Sequence, residues 1–362
     1  VMSALGARYA GRLTDPDSMT GTFSQSGVEL ELVLTRQGAE EAVSRRPQDP
    51  VPPYPYVSED VVFENADAGI TLAGTITRPE GDGPFPAIVL VSGSGQQDRN
   101  EELFDRRPFL VLADALTRAG VAVLRYDDRG VGESGGRETL ASATSGDFAR
   151  DAAAAIRYLH DRSYTAPGRV GMLGHSEGGL IAALLGAGEM PGANPSAIAA
   201  SMRPDFMVFM ATAAVPGDEL LMMQSRALLE ASGASQEYIS RIAEANREVY
   251  DILLSDMPQE EAVEEVARVQ RELGMSQEQI RVQRRQLFSP WFEFFLRTDP
   301  TEALRTLDVP VLAVTRSLDL QVPSGPNLEA MRSALAVAPS DDVTTRELDG
   351  LNHLLQPAQT GG

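Results

Sequence analysis

One serine of this chain stands where a strand is expected to turn sharply into a helix. Ser176 lies in the segment Gly174-His175-Ser176-Glu177-Gly178-Gly179, between the apolar run 170–173 and the small-residue run 179–185. The first run predicts a buried strand and the second predicts the opening turns of a packed helix. G-x-S-x-G also occurs in ordinary glycine-rich loops, so the flanking elements carry the argument. The pattern predicts a nucleophilic serine on a strained turn.

Three histidines compete for the role of the base that such a serine needs. A serine hydroxyl becomes a strong nucleophile only when a base takes its proton, and a third group must fix the tautomer of that base. His160 falls near the end of a predicted helix over 147–161, where a basic ring suits the helix C-terminus. His175 is held inside the turn itself. His353, in a loop after the strand-like run 342–348, is therefore the predicted base.

The orienting acid is expected on a loop after a core strand, between the serine and the base along the chain. The apolar run 309–314 predicts such a strand, and Asp319 follows it. Asp319 is therefore the predicted acid. Asp308 before that strand, and Asp341 or Asp342 beyond it, remain the alternatives.

Two backbone N–H groups must hold the oxyanion that forms when the serine attacks. The amide of Glu177 is predicted to be one, since it follows the nucleophile at the positive end of its helix. The second is expected from the glycine-rich loop after the apolar run 86–91, with Ser94 preferred and Gly95 or Gln96 as alternatives. That loop contains neither G-K-[ST] nor G-x-G-x-x-G, so a phosphate cradle is not expected.

At these residues the chain resembles the α/β-hydrolase superfamily, over most of residues 57–356. The segment 126–134 is similar to the family's D-x-R-G-x-G-x-S loop. Bacterial serine esterases described as S33-aminopeptidase-like or dienelactone-hydrolase-like are similar in three further segments: Ser92 to Asn100, Asp319-Leu320-Gln321-Val322 and Gly350-Leu351-Asn352-His353. Ser92 stands where many members have a histidine. The resemblance implies an esterase that acts on short- to medium-chain acyl groups.

The order of predicted elements divides the chain into parts. Strands alternate with helices over residues 57–216 and 301–362, which predicts an α/β core with a mostly parallel sheet and helices on both faces. Residues 1–45 contain an alternating strand that cannot bury its apolar face alone, and they resemble a remnant of an N-terminal β-rich domain. The proline-rich residues 46–56 predict an extended linker.

The stretch between the strands predicted at 206–210 and 309–314 is far longer than a crossover requires. Its helical patterns predict a cap over residues 217–300, which is where α/β-hydrolases commonly place one. Aromatic and methionine side chains in this stretch are candidate substrate contacts, with ordinary helix packing as the alternative. The candidates are Trp291, Phe295, Met222 and Met223.

Composition restricts the partners. The chain has 31 basic and 52 acidic residues, a net charge of −21, which disfavours nucleic acid and anionic membrane surfaces. No run approaches the ~18 apolar residues of a membrane span, and no leader pattern opens the chain. A soluble protein is expected, with export open if a leader was removed before Val1. The chain has no cysteine, and its three histidines form no H-x-H or H-E-x-x-H pattern, so neither a metal nor a cofactor is expected.

Together these residues favour a serine carboxylesterase with a small-molecule ester as its substrate. An amidase or aminopeptidase would use the same triad, so that alternative stays open. From a different class, a non-catalytic binding protein on a hydrolase fold is the second alternative. Rates on a matched ester and anilide separate the first pair, and labelling by a fluorophosphonate probe tests the last.

Overall fold

The computed structural model describes residues 7–25, 28–36, 46–103, 105–188 and 200–361. Its strands are β1 (Ala7–Asp15), β2 (Ser18–Gln25), β3 (Val28–Thr35), β4 (Val57–Asn65), β5 (Ile70–Arg78), β6 (Phe85–Val91), β7 (Ala122–Tyr126), β8 (Thr165–His175), β9 (Phe206–Met210), β10 (Val311–Arg316) and β11 (Val343–Leu348). Its α-helices are α1 (Pro108–Arg118), α2 (Ser145–His160), α3 (Glu177–Ala187), α4 (Gly217–Ala231), α5 (Gln236–Leu254), α6 (Gln259–Glu272), α7 (Gln277–Leu287), α8 (Pro290–Arg297), α9 (Pro300–Leu304) and α10 (Ser324–Leu335).

The chain divides into two compact units. One contains residues 1–48 and 244–289, and the other contains residues 49–243 and 290–362. The units do not coincide with the segments expected from the sequence, because both ends of the segment 217–300 group with the second unit. The proline-rich segment 46–56 is divided between the two units.

In the first unit, β1, β2 and β3 form an antiparallel three-stranded sheet. β3 covers the strand predicted from its alternating pattern, and β2 pairs with it. The rest of the predicted N-terminal segment, residues 1–6, 26–27 and 37–45, lies outside the described residues. Farther along, Ser276 caps α7, and Gln279 accepts a hydrogen bond from the Ser276 amide in return, which is the capping box expected from the sequence.

The second unit contains an eight-stranded sheet in the order β11-β10-β9-β8-β6-β7-β5-β4. β4 and β5 form an antiparallel hairpin, and β5 pairs antiparallel with β7. All other neighbours in the sheet are parallel. Strands buried on both faces need nearly continuous apolar runs, which is why β6 and β7 are so apolar. The mostly parallel sheet confirms the predicted α/β-hydrolase class.

Helices cover both faces of this sheet. Ile88 and Leu90 of β6 belong to an apolar cluster with Phe109 of α1. Val89, which points to the opposite face, belongs to a larger cluster with Ile156 of α2. Since successive side chains of a strand alternate between faces, α1 and α2 lie on opposite sides. The carboxyl ends of the parallel strands therefore open at one edge of the sheet, where ligands bind in such folds.

α1 begins later than the sequence pattern indicates. A helix is expected from near residue 103, but α1 starts at Pro108, whose fixed φ and missing N–H suit the first helical position. Glu101 and Asp105 before it have left-handed φ values of 53° and 57°, which a continuing helix does not allow. This loop between β6 and α1 thereby remains irregular and follows the sheet edge.

The proline-rich segment is fixed at its C-terminal end. Tyr56 is buried, and its hydroxyl donates a 2.8 Å hydrogen bond to Asp114 on α1.

No helix in the part of the chain that the structure describes is both long enough and apolar enough to cross a membrane.

Candidate active site

Ser176 occupies a strained turn between β8 and α3. Its backbone has φ 54° and ψ −118°, a left-handed conformation that costs a non-glycine residue about 1–3 kcal/mol. The Ser176 N–H donates to the Met210 carbonyl at 2.9 Å. A Cβ on Gly174 would lie 2.0 Å from the Gly178 carbonyl oxygen, and a Cβ on Gly178 would lie 2.2 Å from that of Val91. Both glycines are therefore required for the turn that presents the serine.

His353 and Asp319 form a buried hydrogen-bonded pair at the same edge of the sheet. His353 Nδ1 lies 2.8 Å from Asp319 Oδ2 and 3.0 Å from Oδ1. The backbone amides of Gln321 and Val322 donate to Asp319 Oδ1 at 2.9 and 2.8 Å, which fixes the carboxylate. A carboxylate accepts only, so Nδ1 carries the hydrogen. Nε2 of neutral His353 is then free to accept a proton.

The alternative acids lie elsewhere. Asp308 forms a 3.1 Å surface ion pair with Arg203. Asp341 and Asp342 are exposed, and within the described ranges neither has a hydrogen bond to His353. Asp319 is the carboxylate that the structure brings to this histidine.

The ring of the residue before Ser176 lies beside the ring of His353. The ring of His175, which precedes the serine, lies 4.8 Å from the His353 ring, centroid to centroid. Among the residues that the structure describes, no hydrogen bond joins Ser176 Oγ to His353. Such contacts are often long in free enzymes and shorten when the substrate binds.

The two segments expected to supply the oxyanion donors are placed differently. Glu177 is the first residue of α3, where an amide has no acceptor within the helix. The loop after β6 passes so close to Ser176 that a Cβ on Gly93 would lie 3.1 Å from Ser176 Cβ. Ser94 follows in this loop and is exposed, and its carbonyl accepts from the Gln97 side chain at 3.1 Å.

Arg316 is a part of this site that sequence reasoning missed. The side chain is the last of β10 and is 0% exposed, with Nη1 3.8 Å from Asp319 Oδ2. Its three nitrogens form no hydrogen bond with any residue in the described ranges. Burial lowers the pKa of Arg316 to about 10, so the guanidinium remains charged at neutral pH. The feature of the sequence that could have indicated Arg316 is its place as an arginine at the carboxyl end of a core strand.

The surroundings of His353 favour its neutral form. Burial lowers the pKa of His353 below its ordinary value of 6.5, and the nearby His175 and Arg316 add to that effect, while the hydrogen bond to Asp319 opposes it. A base must be neutral to accept a proton, and a lowered pKa extends the neutral form to more acidic solution.

We expect the acid limb of a pH profile to reflect this shift. If His353 is the base, kcat/KM for an activated ester should fall as His353 becomes protonated, with a midpoint below pH 6.5. Measuring kcat/KM from pH 4.5 to 9 at constant ionic strength tests this. A midpoint clearly above pH 6.5 would contradict the assignment.

The predicted substrate-contacting side chains differ in how far they are buried and in what they pack against. Trp291 is half-buried, and its Nε1–H donates a 2.7 Å hydrogen bond to Glu177 Oε1. Phe295 stacks on Trp291 at 5.5 Å but is only 8% exposed, within an apolar cluster that includes Leu180 of α3. Packing is therefore the role that the structure describes for Phe295. Met222 and Met223 of α4 are half-buried, and Met223 packs against the same cluster.

Comparison with known proteins places these residues among hydrolases. The family model described as X-Pro dipeptidyl-peptidase (S15 family) matches residues 68–327. Esterase EstD of Thermotoga maritima is 27% identical over 294 residues, which cover 81% of this chain and 60% of EstD. The chain thus spans less than two thirds of the length of that relative.

Two solved structures are similar over most of the chain. The esterase Pf2001 of Pyrococcus furiosus has a TM-score of 0.46 and 15% identity, covering 81% of this chain and 84% of that one. The thermophilic esterase Est2 of Thermogutta terrifontis, solved with butyrate bound, has a TM-score of 0.48 and 16% identity, covering 82% and 84%.

Proposed function

We propose that the chain, which belongs to the X-Pro dipeptidyl-peptidase (S15) family, is a serine carboxylesterase acting on short- to medium-chain esters. The observation that carries this proposal is the hydrogen-bonded pair Asp319–His353 beside the strained turn that presents Ser176. The similarity to esterase EstD supports an ester substrate.

In the proposed reaction, Ser176 Oγ attacks the ester carbonyl while His353 Nε2 takes the hydroxyl proton. Asp319 holds the Nδ1–H tautomer and stabilises the imidazolium that forms. The amides of Glu177 and Ser94 hold the oxyanion. His353 returns the proton to the departing alcohol, which leaves an acyl-enzyme on Ser176. Water, activated by His353, then attacks the acyl group and releases the carboxylic acid.

The family description favours one competing function. X-Pro dipeptidyl-peptidases cleave amide bonds, and the same triad could serve that reaction. Rates on p-nitrophenyl butyrate, its p-nitroanilide counterpart and alanyl-proline p-nitroanilide separate the two. We expect kcat/KM on the ester to exceed that on both anilides by several orders of magnitude. Faster turnover of the alanyl-proline anilide than of the ester would establish the peptidase instead.

A non-catalytic role on the same fold is tested by labelling. A fluorophosphonate probe reacts covalently with an activated serine, and here it should modify wild-type protein at Ser176. Ser176→Ala protein should remain unlabelled. Folded wild-type protein that stays unlabelled would favour a binding protein.

We also propose that Trp291 of α8, with Met222 and Met223 of α4, borders the acyl site. Trp291 is attached to Glu177, which directly follows the nucleophile and accepts a second hydrogen bond from Ser145 Oγ at 2.6 Å. This fixes an indole ring next to the predicted oxyanion donor. Apolar walls with a few fixed polar groups are typical of small-molecule sites.

Trp291→Ala should therefore change the preference among acyl lengths. A methylene in an apolar pocket is worth about 1–3 kcal/mol, so shifts of roughly 10- to 200-fold in relative kcat/KM are the upper range. Acetate, butyrate and octanoate esters of one alcohol provide the measurement. Trp291→Phe is the comparison variant, because it keeps an aromatic ring but loses the hydrogen bond to Glu177 and part of the ring volume. Equal losses on all three esters, with a lower melting temperature, would show that Trp291 is a packing residue.

A further inference from the structure

A second carboxylate–imidazole pair lies beside the proposed triad. Glu101 Oε1 is 2.7 Å from His175 Nδ1, and His175 Nε2 is 3.1 Å from the backbone carbonyl oxygen of His353. All three residues are buried. The mechanism proposed above uses neither Glu101 nor the ring of His175.

The hydrogen bonds of this pair determine where its protons are. Glu101 Oε1 also accepts the Gly93 N–H at 2.7 Å, so one carboxylate oxygen makes both contacts. A carboxylate and a carbonyl both lack a hydrogen to donate, so both ring nitrogens of His175 must carry one. His175 with two ring hydrogens is an imidazolium, and the pair is a buried ion pair.

The pair connects three segments whose relative positions matter for the proposed reaction. Glu101 lies in the loop after β6 and holds Gly93, which passes over Ser176. His175 immediately precedes Ser176 in the turn. Through Nε2, His175 holds the backbone of His353. Glu101 has a φ of 53°, which is a strained left-handed conformation for a glutamate. The strain lies at the residue whose side chain contacts both Gly93 and His175.

We propose that Glu101 and His175 are positioning residues of the serine hydrolase proposed above: their ion pair fixes the backbone of the catalytic histidine and keeps a positive charge beside its ring. The inference rests on the proposed function. Its first consequence is geometric, since a base misplaced by about 1 Å can cost 10²-fold in rate.

Its second consequence is electrostatic. The groups that face His353 are Asp319 and Arg316 from the end of β10, His175 from the end of β8 and, behind it, Glu101. The positive end of the Glu101–His175 pair is the end nearest to the His353 ring. It therefore opposes protonation of His353 and helps to keep the base neutral in mildly acidic solution, in the direction of the lowered His353 pKa.

Glu101→Gln separates charge from shape. A glutamine oxygen in the place of Oε1 can still accept from both Gly93 and His175 Nδ1–H, but the neutral side chain no longer supplies the negative charge that stabilises the second ring hydrogen of His175. We expect the acid limb of kcat/KM for p-nitrophenyl butyrate to move to higher pH, with a small loss at the alkaline plateau. Glu102→Gln is the matched control, because Glu102 forms an ion pair with Arg107 at the half-exposed surface, and its acid limb should not move. An unchanged acid limb in Glu101→Gln would overturn the electrostatic role.

His175→Gln tests the positioning role. This variant should lower kcat roughly 10- to 100-fold with little change in KM, since the base is displaced while the pocket is kept. A change in KM alone, or no change in kcat, would overturn the inference.

A further measurement detects the ring hydrogens of these histidines directly. The chain has three histidines, so the ring nitrogens of ¹⁵N-histidine-labelled protein give few signals, and His160→Gln protein assigns one set. At pH 7 we expect His175 to show hydrogens on both ring nitrogens and His353 on Nδ1 alone. A His175 ring with one hydrogen would overturn the ion pair. Fluorophosphonate labelling and ester turnover of the same sample report on the proposed function separately.

Discussion

Ser176→Ala and His353→Ala should each lower kcat for ester hydrolysis by roughly 10⁴-fold or more while the protein stays folded. In the proposed reaction the serine forms the bond to the acyl group, and the histidine takes its proton. Initial rates on p-nitrophenyl butyrate, with melting curves for each variant, provide the measurement. Residual turnover should come only from the oxyanion donors and from substrate binding.

The double variant is the sharper part of this test. Residues of a triad act as a unit, so Ser176→Ala with His353→Ala should be hardly slower than either single variant. His160→Ala is the control, because His160 lies at the end of α2 and has no part in the proposed reaction. If His160→Ala or His175→Ala, in folded protein, proved as damaging as His353→Ala, then His353 would not be the base.

The turn at Ser176 is the part of the site that the sequence encodes locally, whereas Asp319 and His353 were predicted from their order along the chain and from the small number of histidines. The turn at Ser176 depends on Gly174 and Gly178 and on an apolar strand directly before it, all within a few residues. The same holds for the strands in the middle of the sheet, since burial on both faces leaves uninterrupted apolar runs such as that of β6. Strand β1 was not predicted, because Ala10 and Gly11 weaken its alternating pattern.

The parts that the sequence did not predict depend on contacts between distant segments. Glu101 meets His175 across 74 positions, and Trp291 meets Glu177 across 114. Periodicity contains no information about such pairs. Glu101 is placed by a left-handed backbone angle in an irregular loop, and no pattern of residue types predicts that angle for a glutamate.

Arg316 shows how an unpredicted neighbour changes the expectation for a predicted residue. From the sequence alone, Asp319→Asn is an isosteric substitution in a loop. In the structure Asp319 is the ion-pair partner of a fully buried guanidinium at 3.8 Å. Removing one partner of a buried ion pair leaves the other charge uncompensated, which typically destabilises a protein by about 3–5 kcal/mol.

Asp319→Asn should lower kcat by roughly 10³- to 10⁴-fold, for a reason that the geometry makes specific. The amides of Gln321 and Val322 both donate to Asp319 Oδ1, so an asparagine would keep its oxygen there. Its NH₂ would then face His353 Nδ1, which must become an acceptor. The remaining hydrogen would move to Nε2, and the base nitrogen could no longer take the serine proton. Steady-state kinetics well below the melting temperature provide the measurement.

A second substitution separates the loss of chemistry from the loss of stability. Asp319→Asn alone should lower the melting temperature, since it leaves the Arg316 charge unpaired. Adding Arg316→Met replaces that charge with an apolar side chain of similar length, so stability should recover while turnover stays lost. Asp308→Asn, at an exposed pair with Arg203, is the control and should change neither quantity. Recovered turnover in the double variant, or a comparable loss in Asp308→Asn or Asp341→Asn with Asp319→Asn active, would remove Asp319 from the triad.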